Sequence, residues 1–181
     1  ICTCWWDANA IAIRIARAAS KKNNVAFCGY HGWHDWYLSA NLKSKKNLNS
    51  HLLTELEPLG VPKGLSGTII PFQFNSWDDL ENIVKKNAKD CAAIVLEPCR
   101  DYLPKKNYLK EIRKIANKNN CVLIFDEITC AWRLDTSGVH KNLRINPDIA
   151  VFGKTIANGI PMGAIIGKKH IMKFATKTFI S

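Results

Sequence analysis

Apolar residues along this chain fall into two rhythms that alternate from one end to the other. Between residues 7 and 20, Ile11, Ile15 and Ala18 recur at helical intervals, Ala12, Ala16 and Ala19 run beside them, and Arg14 and Arg17 stand off that line. The pattern predicts a helix over 7–20, with Asp7 near its N-cap. Apolar β-type runs then occupy 25–28, 68–71, 92–97, 121–126 and 149–152, and 164–166 is a further candidate strand. Helical periodicity separates them at 77–87, 108–119 and 168–176. Strands that are apolar throughout, alternating with amphipathic helices, imply βαβ crossovers and a mostly parallel sheet covered on both faces. The predicted class is α/β.

Residues 43–67, rich in Lys, Asn, Ser, Pro and Gly, read as a long surface loop within one domain. A length of 181 residues fits a single domain, and the chain opens on Ile1 and stops at Ser181 after an apolar stretch, so a fragment of a longer protein is expected. The net charge of +11 would suit nucleic acid or an anionic membrane, but its lysines are scattered, as at Lys43, Lys45, Lys46 and Lys105, Lys106. Solvated lysine faces are the simpler reading, and no nucleic-acid partner is expected. Seven cysteines, an odd number with no repeated Cys-x-x-Cys spacing, argue against a disulfide framework or a zinc site. No run approaches 18 apolar residues and no charged region opens an apolar one, so neither a membrane span nor export is expected. A reducing cytoplasm is the expected compartment.

In open α/β sheets, ligands bind beyond the carboxyl ends of the strands, so polar residues closing an apolar run matter most. These are Cys28-Gly-Tyr-His-Gly, Val95-Leu-Glu97-Pro, Ile124-Phe-Asp126-Glu127 and Phe152-Gly-Lys154. Taken singly, a carboxylate or a lysine at a strand end is equally well a structural salt bridge. His31 and His34, beside Trp33 and Trp36, suggest a packed loop and no metal site. Gly159 and Gly163 around Pro161 suggest a tight turn, and Asp78 with Asp79 complement a helix N-terminus.

The order of these segments carries more than any one of them. With Gly29-Tyr-His-Gly-Trp-His-Asp, Leu123-Ile-Phe-Asp-Glu-Ile and Pro147-Asp-x-x-x-x-Gly153-Lys154, the chain resembles the class III aminotransferases, most of all their glutamate-1-semialdehyde aminomutase branch. The resemblance implies the three-layer αβα large domain of fold type I enzymes, with 1–181 as an incomplete cofactor-binding domain that lacks an N-terminal arm and a C-terminal small domain. It implies pyridoxal 5′-phosphate as cofactor, a small amino donor and acceptor, and a homodimer with a shared active site. Lys154 then matches the lysine that forms the Schiff base and shuttles a proton. Asp126 matches the carboxylate facing the pyridine nitrogen, which keeps the ring an electron sink. Tyr30 matches the aromatic on one ring face, Ile128 the apolar cover on the other, and Glu97 a glutamate beside the cofactor. Arg133 is open between a substrate-carboxylate clamp and a structural ion pair.

Two segments depart from the family pattern. The family grips the phosphate at the N-terminus of its first helix with small residues, whereas Trp5 and Trp6 precede Asp7-Ala8 here. A sequence or junction error, a repositioned cup, and weak cofactor binding would each explain that. The loop Cys99-Arg-Asp-Tyr differs from the small and amide residues of the aminomutase, which points to a sugar or other amino acceptor. Beside the transferase reading stand a non-catalytic relative serving as a structural or regulatory subunit, and a basic nucleic-acid binder.

Overall fold

The computed structural model describes residues 5–180, with the side chain of Trp5 outside the described residues. Its elements run α1 (Trp5–Ser20), β1 (Asn24–Cys28), α2 (Asp35–Leu38), α3 (Ala40–Lys43), β2 (Ile69–Pro71), α4 (Trp77–Lys86), β3 (Cys91–Leu96), α5 (Tyr108–Lys118), β4 (Val122–Asp126), α6 (Val139–Asn142), β5 (Ile149–Phe152), β6 (Ala164–Gly167) and α7 (Lys169–Met172). The strands form one sheet in the order β2-β1-β3-β4-β5-β6. The first five are parallel and β6 pairs antiparallel with β5. Between β5 and β6 lies only a 3-10 turn, Lys154–Ile156, and no crossover helix to return the chain in parallel.

The apolar runs are explained by two cores. Side chains alternate across a strand, so Val25, Phe27, Ala93, Val95, Ile124 and Val151 face α1, while Ala26, Cys28, Ile94, Leu96, Leu123 and Phe125 face α4 and α5. The result is a three-layer α/β sandwich. On α1, Ala8, Ala12, Ile15 and Ala16 are fully buried against the sheet. Small residues let the helix axis lie close over β3 and β5. The described part of the helix starts at Trp5, with Asp7 in its first turn, and the Asp7 Oδ1 lies 3.0 Å from His34 Nε2.

Of residues 43–67, Lys43 closes α3 and the rest are irregular apart from a 3-10 turn at Lys63–Leu65, but they do not merely cover the surface. Leu48 and His51 are buried. Asn41 holds the segment down, donating to the Leu56 carbonyl (2.7 Å) and accepting from the Leu48 N–H (3.0 Å). The helix expected over 168–176 is shorter, because beyond Met172 the backbone tightens to i→i+3 bonds such as Phe174 N–H to Ile171 and Ala175 N–H to Met172. No helix among the described residues is long and apolar enough to cross a membrane.

At the amino end of the sheet, Asp148 ties several elements together. Its Oδ2 accepts from Arg113 of α5 (2.9 Å) and from the Leu123 N–H of β4 (2.8 Å), and its Oδ1 lies 2.7 Å from Lys168 beyond β6. Burial pushes this carboxyl up, but the Lys168, Leu123 and Arg113 donors outweigh it and hold it below the usual carboxylate range.

Candidate active site

The opposite, carboxyl end of the sheet is where the candidate residues meet. Each leaves a different strand. After β1 the chain turns at Gly29 with φ +111°, a conformation suited to glycine, and a Cβ there would lie 2.5 Å from Glu97 Oε2. Glu97 closes β3 and is buried, and its Oε2 accepts the Tyr30 N–H at 3.0 Å. Burial first, and then the charge of Asp126, push the Glu97 carboxyl up.

Asp126 closes β4 and is 2% exposed. Its Oδ2 accepts from Asn9 Nδ2 at 2.7 Å and lies 2.8 Å from His31 Nδ1, and its Oδ1 accepts the Ile128 N–H at 3.1 Å. His31 is itself fixed, with Nε2 3.1 Å from the Cys28 carbonyl and its ring stacked 6.2 Å from Trp36. A buried carboxylate normally needs such donors. Here the two side-chain donors both meet Oδ2, while Oδ1 takes the Ile128 N–H alone.

Lys154 follows β5 in the left-handed region, φ +50°, unusual for a residue with a Cβ. That turn breaks the strand direction at the point where the lysine leaves the sheet. Its Nζ donates to Thr129 Oγ1 at 3.0 Å. Burial lowers its pKa, the Asp126 and Glu97 charges oppose that, and Arg133 and Arg100 add to the lowering. The balance favours a neutral amine more than in open water.

Tyr30 is half-buried and meets Tyr37 edge-on at 6.0 Å, while Ile128 is buried in the core that faces α1. Arg133 donates to the Thr129 carbonyl (2.8 Å) and makes no ion pair among the described residues. The fold thus brings Tyr30, Glu97, Asp126, Ile128 and Lys154 to one edge of the sheet. Glu127, next to Asp126, turns away and takes the Val139 and His140 N–H groups with the His140 ring at 2.8 Å. Among the described residues no cluster of His, Cys, Asp or Glu is set to hold a metal ion.

Three neighbours were not singled out from the sequence: Asn9, Thr129 and the His31 contact with Asp126. Asn9 did leave a trace, as a polar side chain beside Ala8 and Ala12 on the buried face of α1. At that helix's first turn, Trp6 packs on Gly32, where a Cβ would lie 2.9 Å from Trp6 Cβ.

Comparisons with known proteins point the same way. A 3-aminobutyryl-CoA aminotransferase of Cloacimonas acidaminovorans is 36% identical over 182 residues, covering 97% of this chain and 40% of that protein. A glutamate-1-semialdehyde 2,1-aminomutase of Ignicoccus hospitalis is 36% identical over 176 residues, covering 94% and 40% respectively. Among solved structures, a transaminase with PLP bound superimposes with a TM-score of 0.79 at 27% identity, over 94% of this chain and 40% of that one. The chain therefore spans about 40% of the length of the curated relatives it matches. With the family model of class-III aminotransferases matching residues 1–179, the chain belongs to that family.

Proposed function

We propose that residues 1–181 are the cofactor-binding large domain of a pyridoxal-phosphate-dependent enzyme that moves an amino group on a small substrate, by transamination or by a 2,1-amino shift. The observation that carries this reading is the buried Asp126 carboxylate, oriented by Asn9, His31 and the Ile128 N–H, with the Lys154 amine in its field. The donor set fits the cofactor: a fixed carboxylate for a pyridine nitrogen, a depressed-pKa amine for an aldehyde, and Tyr30 with Ile128 to flank a ring. Bound there, pyridoxal 5′-phosphate would supply an electron sink for the bonds at the amino-bearing carbon.

Lys154 is the Schiff-base lysine in this reading and the base that moves a proton at its Nζ. Thr129 positions that nitrogen. Asp126 would face the ring nitrogen and favour its protonated form, and burial of its carboxylate keeps water from competing for it. Glu97 sits beside the cofactor with its carboxyl fixed by the Tyr30 N–H. The relatives named above support the choice of transaminase or aminomutase. We place the whole protein in the cytoplasm as a homodimer with shared sites. The free, buried thiols of Cys28, Cys91, Cys99, Cys121 and Cys130 support a reducing compartment.

Borohydride reduction of the whole protein with added cofactor, followed by peptide mass spectrometry, tests the assignment. The expected result is a pyridoxyl-phosphate adduct on the Lys154 peptide, lost together with the visible cofactor band in Lys154→Ala. An adduct at another lysine, or none, overturns it. The packing of Trp6 on Gly32 favours a second reading, a non-catalytic relative with a closed phosphate cup. That reading requires the whole protein to take up no cofactor until Trp6→Gly opens the turn.

A further inference from the structure

Beside Glu97 lies a cavity of about 240 Å³ that the cofactor reading leaves unused, bounded by the ends of β1 and β3 and by the 43–67 segment. Gly29, Ser50, His51, Gln73, Glu97 and Arg100 line it. Its donors converge. Arg100 Nη1 donates to the His51 carbonyl at 2.9 Å and stands 3.7 Å from Glu97 Oε2, and the guanidinium keeps 39% of its side chain exposed. His51 Nδ1 accepts the Gly29 N–H at 3.2 Å, so a neutral ring carries its proton on Nε2. That buried Nε2 has no hydrogen-bond partner among the described residues. Burial first, then the His31 and Arg100 charges, push the ring's pKa down to about 4, which keeps it neutral near pH 7. Ser50 Oγ accepts from Gln73 Nε2 at 3.1 Å, which leaves its own O–H to donate.

A buried donor without an acceptor is costly unless a ligand supplies one. An arginine fork beside it selects a planar carboxylate. The Glu97 carboxyl and Asp101, which lies 3.9 Å from Arg100 Nε, oppose a second negative charge, so a monoanion suits the cavity and a phosphate dianion does not. Glu97, which lines the cavity, closes β3 beside the β4 strand that ends in Asp126, so the cavity opens at the same carboxyl end of the sheet as Lys154.

We propose that Arg100 and His51 form a subsite for the carboxylate of the amino substrate, which makes Arg100 a specificity-determining residue. This rests on the function proposed above. Its test compares 3-aminobutyrate with 2-aminobutane, which has the same carbon skeleton and no carboxylate, as amino donors for the whole holoenzyme. Arg100→Met should raise KM for 3-aminobutyrate by about 10–100-fold, as expected for lost charge-assisted bonds, with a change at least about tenfold smaller for 2-aminobutane. Arg100→Lys should recover part of the loss. Equal losses for both amines, or no loss for 3-aminobutyrate, overturn the proposal. A second arm follows butyrate binding to the cofactor-free whole protein by ligand-observed NMR. Loss of the signal in Arg100→Met supports the subsite and its retention overturns it. Butyrate has no amine and needs no cofactor, so this arm reads the cavity even where Lys154 takes up none.

Discussion

Two aspartates, at opposite ends of the same sheet, are buried to nearly the same degree and are satisfied in different ways. Asp148 at the amino end is closed by two cations and a backbone N–H from three elements, and its charge is spent within the fold. Asp126 at the carboxyl end is oriented by an amide, a histidine ring and one N–H, with the Lys154 amine donating to Thr129 nearby. Cations on both oxygens make a rivet of Asp148, whereas Asp126 Oδ1 takes a single backbone N–H and keeps acceptor capacity that a bound group can still use. The lesson is that burial alone does not mark a functional carboxylate; the identity of its partners does.

Substitution should separate the two ends cleanly. The largest effect is expected for Asp126→Ala in the whole protein. kcat should fall by about 10²–10⁴-fold, read by steady-state kinetics, because no carboxylate would then keep the ring nitrogen protonated. A retained kcat would remove the distinction drawn here. Asp148→Asn should instead cost about 3 kcal/mol in urea unfolding, since it leaves Arg113 and Lys168 without their anion, while kcat per folded molecule stays put. The pH dependence sharpens this. A carboxyl held below its usual range contributes full stability above about pH 4, and the contribution disappears as pH falls through its lowered folded value. Midpoints measured on acidification should therefore drop in the parent and flatten in Asp148→Asn. The smallest effect is expected for Gly29→Ala. Its positive φ and the 2.5 Å approach to Glu97 Oε2 should cost about 1–2 kcal/mol and displace Glu97. A variant as stable as the parent would show that this turn is slack.

How much of this was written in the sequence follows from the range of each interaction. The four central strands, β1, β3, β4 and β5, were legible because burial on two faces leaves no polar position to interrupt an apolar run, as in Cys91–Leu96. Helices α2, α3 and α6 were not, since four residues barely complete one turn and show no period. That Tyr30, Glu97, Asp126 and Lys154 would meet was legible from their place at strand ends, which a parallel sheet brings to one end, while their roles rest on the resemblance. The partners that orient them were not. Asn9 and Asp126 are separated by 117 residues, and nothing local to either names the other. The burial of His51 was hidden for the same reason, inside a segment whose composition reads as solvent-exposed.

That long reach has a practical side. The shortest stretch of chain that holds Asn9, His31, Glu97, Asp126 and Lys154 together runs from 9 to 154 and carries β1 to β5 with it. The site is therefore not portable as a peptide, a hairpin or a single βαβ unit. An engineer who wished to graft it would have to move the sheet, and one who wished to split the protein into complementing halves would find every cut between those two residues dividing the site.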